Sequence, residues 1–370
     1  MRRITLVKDG ILYRNPRPGY QAECAFLPYV LPLSPQELLC FCSIGQAFYS
    51  VDGKLLQLRS VDGGYTWQRE GLVWDPVGDD TPCTYNSTFC TELVDGTLLL
   101  TAQRRDVSGP DNRMYNPETE GQVPVQWVLC RSTDRGRTWS APKALDLPGD
   151  GAGALAAPII ELAGGRLFLP CEMWKAWDDP SPLHIKGFAL FSDDGGTTWA
   201  DRLDYPSAGD KSKMYSHSRY TKMSDGRLLA LQWTQSHGMT ENYDLHLTMG
   251  DRTATQWSYP RPTGIRGQTS WAVDLGDGVL AAIYSLREGE RPGVMIILSE
   301  DEGASWDMDG QFRVWDALGR DVLGPDRSRH ENIAFGAPHV ARLSDDRIIC
   351  SWWCTQACLT LCRFSILHIE

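Results

Sequence analysis

The sequence predicts an all-β fold built from six repeated units, each made of two β-hairpins. Three observations support this prediction: an octapeptide ending in Trp recurs along the 370 residues, a second turn motif alternates with it, and no long stretch has helical periodicity. Short apolar runs that are separated by turn residues and repeat at a fixed period are typical of all-β repeat proteins.

The octapeptide has Ser first, Asp third, Gly fifth and Trp last. Its four clear copies are 60–67, 132–139, 192–199 and 299–306, and a degraded copy is 250–257. The Asp carboxylate of each copy can accept hydrogen bonds from the backbone of its own turn, and Gly supplies a left-handed conformation. The final Trp can bury its ring between neighbouring units. Each octapeptide is therefore predicted to be a tight turn.

The second motif places Asp-Gly, Gly-Gly or a similar pair between two apolar runs. Its six copies are 33–39, 93–99, 162–168, 223–229, 275–280 and 343–349. Such a pair is a strong hairpin signal, because type I′ turns need two residues with positive φ. Six copies in 370 residues give units of about 62 residues, each with two hairpins and hence four strands.

The octapeptide S-x-D-x-G-x-x-W resembles the Asp-box, or bacterial neuraminidase repeat, of the sialidase superfamily. The resemblance extends over essentially the whole chain and implies a six-bladed β-propeller of four-stranded antiparallel blades. In that family the octapeptide is a structural turn between the third and fourth strands, away from the catalytic face. The resemblance thus implies that four carboxylates stabilise the fold and carry no chemistry: Asp62, Asp134, Asp194 and Asp301.

We expect residues 1–370 to form a single propeller domain. The predicted blades are about 20–75, 80–145, 150–205, 212–260, 264–316 and 325–370. The last blade has no octapeptide, and the segment 1–18 is predicted to close the ring by pairing with it. Blade 2 carries a long polar insertion between Arg104 and Gln126, which is either a lid or binding loop or a plain surface excursion.

Composition excludes several classes of partner. With 36 Lys and Arg against 47 Asp and Glu, the net charge of −11 disfavours nucleic acid. No apolar stretch approaches the length that spans a bilayer, and no signal peptide is recognisable, so we expect no membrane partner and a cytoplasmic protein. The 11 Cys lack the spacing of metal ligands and are predicted to be buried thiols, so neither a metal nor a cofactor is expected. The sequence does not indicate an oligomeric state.

The candidate site lies where the first strands of the blades start and the second strands end, because these places meet on one face of a propeller. They are rich in Arg, His, Glu, Gln, Tyr and Trp. Aromatic platforms and convergent polar groups are typical of a sugar pocket, so a carbohydrate is the expected partner. Five Trp residues near strand ends are candidate sugar platforms: Trp174, Trp177, Trp233, Trp352 and Trp353.

The resemblance to sialidases implies three Arg that clamp a substrate carboxylate, a Tyr nucleophile assisted by Glu, and an Asp acid/base. The first Arg of that family lies in an Arg-Ile-Pro motif at the start of blade 1. Phe26-Leu27-Pro28 stands at the corresponding place, so that Arg is missing. The remaining candidates for an anion clamp are Arg105, Arg219 and Arg287, with Tyr284 close to Arg287 in the sequence.

Exo-acting arabinanases of the same superfamily lack the Arg triad and use two carboxylic acids, and Glu172 and Glu241 occupy roughly comparable places. Glycoside hydrolysis usually needs one protonated carboxyl group and one carboxylate. The predicted catalytic residues are Glu172 and Glu331, followed by Asp106 and Tyr284, with Glu23, Glu241 and Glu288 as weaker candidates. The predicted substrate-binding residues are Arg105, Arg219, Arg287, His217, His330, Gln232 and Trp353.

These residues favour a sialidase-like, exo-acting glycoside hydrolase that cleaves a terminal sugar by carboxylate acid/base chemistry. Two alternatives stay open. One is a non-catalytic propeller that binds carbohydrate or protein, since a fold does not fix a function. The other is a polysaccharide lyase, which would use His217, Tyr215 and Arg219 in place of paired acids.

Overall fold

The computed structural model describes residues 2–108, 114–146, 153–183, 185–205, 212–318 and 333–370. These residues form six antiparallel sheets. The helices in the described part of the chain are three single 3₁₀ turns, Pro76–Gly78, Ala163–Gly165 and His237–Met239. The predicted fold class, a six-bladed β-propeller of four-stranded blades, is confirmed.

The strands follow the chain blade by blade, except that β1 (Ile4–Tyr13) belongs to the last blade. Blade 1 consists of β2 (Cys24–Pro32), β3 (Leu38–Gly45), β4 (Lys54–Ser60) and β5 (Gln68–Leu72). Blade 2 consists of β6 (Cys83–Glu92), β7 (Leu98–Asp106), β8 (Gln126–Ser132) and β9 (Lys143–Ala144). Blade 3 consists of β10 (Gly153–Leu155), β11 (Ile160–Glu161), β12 (Leu167–Met173), β13 (Lys186–Ser192) and β14 (Ala200–Asp204).

The second half of the ring has the same arrangement. Blade 4 consists of β15 (Lys213–Lys222), β16 (Leu228–Ser236), β17 (Asp244–Gly250) and β18 (Arg261–Arg266). Blade 5 consists of β19 (Ser270–Gly276), β20 (Val279–Leu286), β21 (Gly293–Ser299) and β22 (Phe312–Asp316). Blade 6 consists of β23 (Phe335–Arg342), β24 (Arg347–Gln356), β25 (Leu359–Ile369) and β1.

The boundary between blades 4 and 5 differs from the prediction. Strand β18 pairs with β17, so blade 4 continues to Arg266 instead of ending at 260, and blade 5 starts at Ser270 instead of 264. The degraded octapeptide explains the error. Its turn is kept, as Thr255 N–H donates to Asp251 Oδ1 at 2.9 Å, but the outer strand that follows it carries little apolar pattern.

Strand β1 closes the ring. It pairs antiparallel with β25, from Ile4 opposite Ile369 to Tyr13 opposite Cys362, and takes the outer position of blade 6. The first and last parts of the sequence therefore share one sheet.

The blades pack face to face, so their middle strands are covered on both sides. All residues of β3 and of β21 are buried, which explains why these runs are apolar throughout instead of alternating. Nine of the 11 Cys lie buried in these sheets as free thiols. The middle strands are thus apolar because both of their faces are buried.

The octapeptides are turns between the third and fourth strands. In the first copy, Gly64 N–H donates to Ser60 Oγ at 2.8 Å, and Thr66 donates to Asp62 through its N–H at 2.9 Å and through its hydroxyl at 2.6 Å. The equivalent bonds recur around Asp134, Asp194 and Asp301. Bonds from the hydroxyl and N–H of Thr138 hold the pKa of Asp134 well below its usual range. These carboxylates therefore accept hydrogen bonds from their own turns.

Candidate functional site

A cavity of about 590 Å³ lies at the end of the ring opposite the octapeptides, and residues of all six blades line it. The strand register fixes this separation. Ser60, where the first octapeptide starts, is paired through Leu38 with Pro32 at the end of β2, whereas the cavity is lined by the start of β2 and the residues after β3.

The first strands of four blades bulge where they pass the cavity. The register shifts at these points, and one residue in each bulge has left-handed backbone conformation, with φ between 45° and 54°: Leu27, Ser87, His217 and Ala337. In blade 3 the first strand is interrupted between β10 and β11. Bulges redirect side chains and free backbone groups, and strained residues of this kind cluster at functional sites.

Arg219 lies over two aromatic rings next to this interrupted strand. Its guanidinium carbon is 5.3 Å from the ring centroid of Phe89 and 5.4 Å from that of Trp271. Its Nη1 donates to the carbonyl oxygen of Ala156, which lies in the interruption. Burial lowers the pKa of Arg219 to about 10, while the charge of Glu172 opposes this decrease. The guanidinium therefore stays cationic at neutral pH.

Arg105 is 3% exposed and is held by neutral oxygens. Its Nη1 donates to Asn86 Oδ1 at 2.6 Å, and its Nη2 donates to Gln103 Oε1 at 2.8 Å. Burial lowers the pKa of Arg105. Its positive charge has no carboxylate in salt-bridge contact among the described residues.

Arg287 completes the set of cavity arginines. Its guanidinium carbon lies 5.5 Å from the ring centroid of Trp233, and its Nε donates to Phe335 O at 3.3 Å. Burial lowers the pKa of Arg287 to about 10. The imidazole of His217 stacks on Trp233 with ring centroids 5.6 Å apart. Trp233 is therefore engaged with two protein groups, which leaves less of its ring for a sugar.

Glu172 is the carboxylate that lines the described part of the cavity, and it is 4% exposed. Its Oε1 accepts the N–H of Ser218 at 2.7 Å and its Oε2 accepts the N–H of His217 at 3.1 Å, both in the bulge of blade 4. Burial raises the pKa of Glu172, while the N–H of Ser218 and the charge of Arg219 oppose this effect. The bulge therefore fixes the orientation of a buried carboxyl group whose pKa is raised.

Two tyrosines that the sequence analysis did not select form another part of the wall. Tyr49 and Tyr115 have ring centroids 4.6 Å apart, and Gln122 Nε2 donates to Tyr115 Oη at 3.0 Å. Burial raises the pKa of Tyr115, while Arg105 and bonds from Tyr49 and Gln122 lower it. Tyr115 belongs to the insertion of blade 2, for which the sequence left open a lid or binding loop and a plain surface excursion.

The described part of this insertion is docked on blade 3. Asn116 Nδ2 donates to Trp177 O at 2.9 Å, and Trp174 Nε1 donates to Glu120 O at 3.1 Å. Residues 109–113 of the insertion lie outside the described residues. Since Tyr115 and Gln122 line the cavity, the insertion forms part of its wall.

His339 is a third residue that the sequence analysis missed. It is buried between the rings of Tyr29, at 4.4 Å, and Trp271, at 4.6 Å, and its Nδ1 accepts the N–H of Val30 at 3.4 Å. Burial and the charge of Arg219 lower the pKa of His339 to about 3. It is therefore a neutral group at the base of the cavity.

The six predicted site residues that line the cavity are Glu172, Arg105, Arg219, Arg287, His217 and Trp353. Three others do not line it. Asp106 is exposed and accepts the N–H of Ser108 at 2.8 Å, Tyr284 is buried and donates to Gln311 at 2.8 Å, and Gln232 donates to Ser218 Oγ at 3.3 Å. The reason is strand alternation, because side chains an odd number of positions apart point to opposite faces of a strand. Asp106 is one position from Arg105, Tyr284 is three positions from Arg287, and Gln232 is one position from Trp233.

Further candidates lie elsewhere. His330 and Glu331 fall outside the described residues. Glu23, Glu241 and Glu288 do not line the cavity and accept hydrogen bonds from Tyr13, Tyr243 and Asn242. Of the Trp candidates, Trp174, Trp233 and Trp353 line the cavity, while Trp177 and Trp352 do not. Tyr215, which a lyase would need beside His217, lies away from the cavity with its ring 5.5 Å from that of His246.

No helix in the described part of the chain is long and apolar enough to cross a membrane. Within the same residues, no group of three or more His, Cys, Asp or Glu is arranged to hold a metal ion.

Comparison with known proteins identifies a family. A model described as a BNR repeat-like domain matches residues 113–315, more than half of the chain. No curated protein matches the sequence significantly.

Solved structures with the same fold include glycoside hydrolases. A protein of unknown function from Dyadobacter fermentans DSM 18053 aligns with a TM-score of 0.76 at 19% identity, covering 99% of both chains. The Hadza microbial sialidase Hz136 aligns with a TM-score of 0.66 at 17% identity, covering 95% of this chain and 67% of the sialidase. An alpha-L-arabinanase of Penicillium chrysogenum, complexed with arabinobiose, aligns with a TM-score of 0.63 at 14% identity, covering 98% of both chains.

Proposed function

The chain belongs to the family of BNR repeat-like domains, and from this premise we propose that it is an exo-acting glycoside hydrolase whose substrate ends in a negatively charged sugar. One observation carries the proposal. Arg105, Arg219 and Arg287 line the same cavity, and none of them forms a salt bridge with a described residue. The sialidase and the arabinanase of the same fold support the choice of glycoside hydrolysis.

The arginines support an anionic ligand on electrostatic grounds. Among these arginines, Arg219 is acted on by the charge of Glu172. Arg105 and Arg287 have no such carboxylate among the described residues, and a buried charge without a counter-charge is costly, so an anion that enters the cavity regains interaction energy that water cannot supply there. A guanidinium also presents a planar pair of donors that matches a carboxylate. The neutral partners of Arg105, namely Asn86 and Gln103, hold the guanidinium in place without neutralising it.

Glu172 is the proposed proton donor. Burial raises its pKa above the ordinary value, and the two N–H groups of His217 and Ser218 fix its position. In the proposed reaction its proton passes to the glycosidic oxygen as the bond to the anomeric carbon breaks, and a water adds to that carbon. This water needs a second carboxylate as a base, and Glu331 stays the predicted candidate from the sequence.

A screen of aryl glycosides of neutral and anionic sugars tests the proposal. We expect turnover with an anionic sugar, and Glu172→Gln to lower kcat by roughly 10²–10⁴-fold with little change in substrate affinity. Asp106→Asn is the matched control, since Asp106 is an exposed carboxylate outside the cavity, and it should leave kcat unchanged. Unchanged turnover of a cleaved glycoside in both Glu172→Gln and Glu331→Gln would refute the catalytic assignment.

A non-catalytic binding propeller remains the second candidate, because Glu172 is the sole carboxylate that lines the described part of the cavity. This candidate predicts saturable binding of an anionic sugar, measured by calorimetry, without release of product over many hours. Turnover that Glu172→Gln abolishes would exclude it.

A further inference from the structure

The charged residues of the cavity are unevenly distributed around the ring. Within the described lining, each of blades 2 to 5 contributes one charged side chain, in order Arg105, Glu172, Arg219 and Arg287. Blades 1 and 6, which are neighbours in the closed ring, contribute none. His339 of blade 6 is neutral because burial lowers its pKa to about 3. Within the described residues, the lining of the cavity therefore has a charged side on blades 2 to 5 and an uncharged side on blades 1 and 6.

Three aromatic rings form the core of the uncharged side. Phe26 lies 4.8 Å from Phe48 and 5.4 Å from Trp353, measured between ring centroids, and Phe48 lies 5.4 Å from Trp353. Leu27 and Ala337, the left-handed residues of the two bulges, complete an apolar surface that we call the apolar wall, defined by Phe26, Leu27, Phe48, Ala337 and Trp353.

Four of the polar side chains that flank the apolar wall already have partners within the protein. Thr355 Oγ1 and Thr360 Oγ1 are 2.9 Å apart, Ser50 Oγ donates to Ala47 O at 2.9 Å, and Cys24 Sγ donates to Gln46 O at 3.3 Å. A sugar hydroxyl that left water for this surface would lose hydrogen bonds, and that loss is costly. An apolar group would gain from the same burial.

We propose that the apolar wall is a subsite for an apolar substituent, such as an aromatic ring or branched alkyl group, on the same ligand whose anionic group binds the arginines. This inference rests on the proposed function for its anionic part. It also gives Phe26-Leu27-Pro28 a role, because apolar residues stand where the resemblance to sialidases implies a further Arg. The substrate class is then an amphiphilic glycoside, charged at one side and apolar at the other.

The packing of the wall supports a site that is formed before the ligand arrives. Phe26 and Trp353 are 6% and 4% exposed and are fixed by the strands β2 and β24, while Phe48 follows β3 and is partly exposed. Rings held edge to face by their neighbours lose little freedom when a ligand packs on them, so more of the burial energy is available for affinity.

Calorimetry with small probes tests the subsite on the intact protein. The probes are phenylalkanoates with two to four methylene groups, the straight alkanoates of equal chain length, and the corresponding phenylalkanamides. We expect at least one phenylalkanoate to bind tenfold or more tightly than its alkanoate. Phe48→Ala should remove this difference and Phe48→Leu should keep part of it. Tyr259→Ala, which removes a ring that is 70% exposed outside the cavity, should change nothing.

The outcomes separate the two proposals. If carboxylates bind better than amides but the phenyl group adds nothing, the subsite is wrong and the anion site stands. If amides bind as well as carboxylates, the anion site is wrong, and a phenyl gain that Phe48→Ala removes still supports the apolar wall. Absence of binding by every probe would overturn both. A melting temperature of Phe48→Ala close to that of the parent protein shows that a lost difference comes from the wall and not from unfolding.

Discussion

Carboxylates have different roles at the two ends of the propeller, the end with the octapeptides and the end with the cavity. At one end the octapeptide carboxylates bond within their own turn, as Asp62 does with Thr66, and the same bonds recur in four blades. At the cavity end, Glu172 of blade 3 accepts two N–H groups of blade 4, and no other blade repeats this contact within the described residues. Repeated local contacts stabilise the ring, whereas unrepeated contacts between blades define the site.

The largest expected difference between the two ends concerns ligand affinity. Replacement of Arg219 by Gln should weaken binding of an anionic ligand by about 10–100-fold, because it removes a charge-assisted interaction of about 1.5–3 kcal/mol. Arg135→Gln, in an octapeptide, removes an arginine that is paired with Glu37 and should leave the affinity unchanged. Calorimetry on both variants measures the difference, and equal losses would contradict the separation of roles.

The second prediction concerns the octapeptide end, where a substitution should change the stability of the protein and not its affinity for a ligand. Asp62→Ala should lower the free energy of unfolding by about 1–2 kcal/mol, since the turn loses its acceptor as a helix loses a cap. It should leave ligand affinity unchanged. Val61→Ala, at an exposed neighbour in the same turn, is the control for chemical denaturation. A loss of affinity in Asp62→Ala without loss of stability would refute the structural role of the octapeptide.

The third prediction uses pH, because the two kinds of carboxylate should respond with opposite sign. Hydrogen bonds hold the pKa of the octapeptide Asp134 below its usual range, so its contribution to stability is present above the pKa of about 4 in the unfolded chain and is lost as pH falls. Burial raises the pKa of Glu172, so ionisation opposes folding as pH rises above about 4.5.

Melting temperatures between pH 2 and pH 7 measure these slopes. We expect Asp134→Asn to flatten the loss of stability in acid and Glu172→Gln to steepen it. The same change of slope in both variants would show that the two carboxylates do not differ in the way proposed.

The smallest expected effect concerns backbone strain at the cavity. Ala337 has a φ of 45°, which favours glycine, so Ala337→Gly should stabilise the protein by about 0.5–1 kcal/mol. Ala341→Gly, in the same strand β23 beyond the bulge, should destabilise it by a similar amount. Thermal unfolding of the pair measures the sign, and a loss of stability in both variants would contradict strain at the bulge.

The structure of the octapeptide end could be predicted from the sequence, whereas the residues of the cavity end could be predicted only in part. The octapeptides and the paired turns depend on local sequence, so six units and four strands follow from pattern alone. Counting from the turns places Arg105, Arg219 and Arg287 at strand ends, and all three line the cavity. The direction of each side chain could not be predicted in this way. A bulge shifts the register by a residue, and this shift changes the face of the strand to which the following side chains point. That is why Gln232 was selected and lies away from the cavity.

Other cavity residues carry no repeat signal at all. Tyr49 and Tyr115 lie in loops of different blades and come together only in the ring, where their centroids are 4.6 Å apart. His339 follows a bulge in blade 6 whose left-handed residue is Ala337, a type that gives no turn signal. Contacts between blades thus remain outside what a repeat pattern can predict.

The pairing of β1 with β25 sets the order in which the cavity can be completed. Ile4 meets Ile369, so the seam forms only after residue 369 has been synthesised, and closing so long a loop is an entropic cost that no local turn can offset. The apolar wall lies between blades 6 and 1, on the inner strands of the blade that this seam completes, while the charged residues of the described lining lie on blades 2 to 5. A ribosome-bound chain can therefore carry the arginines in folded blades before the surface opposite them exists, and the cavity is completed only when blade 6 packs on blade 1.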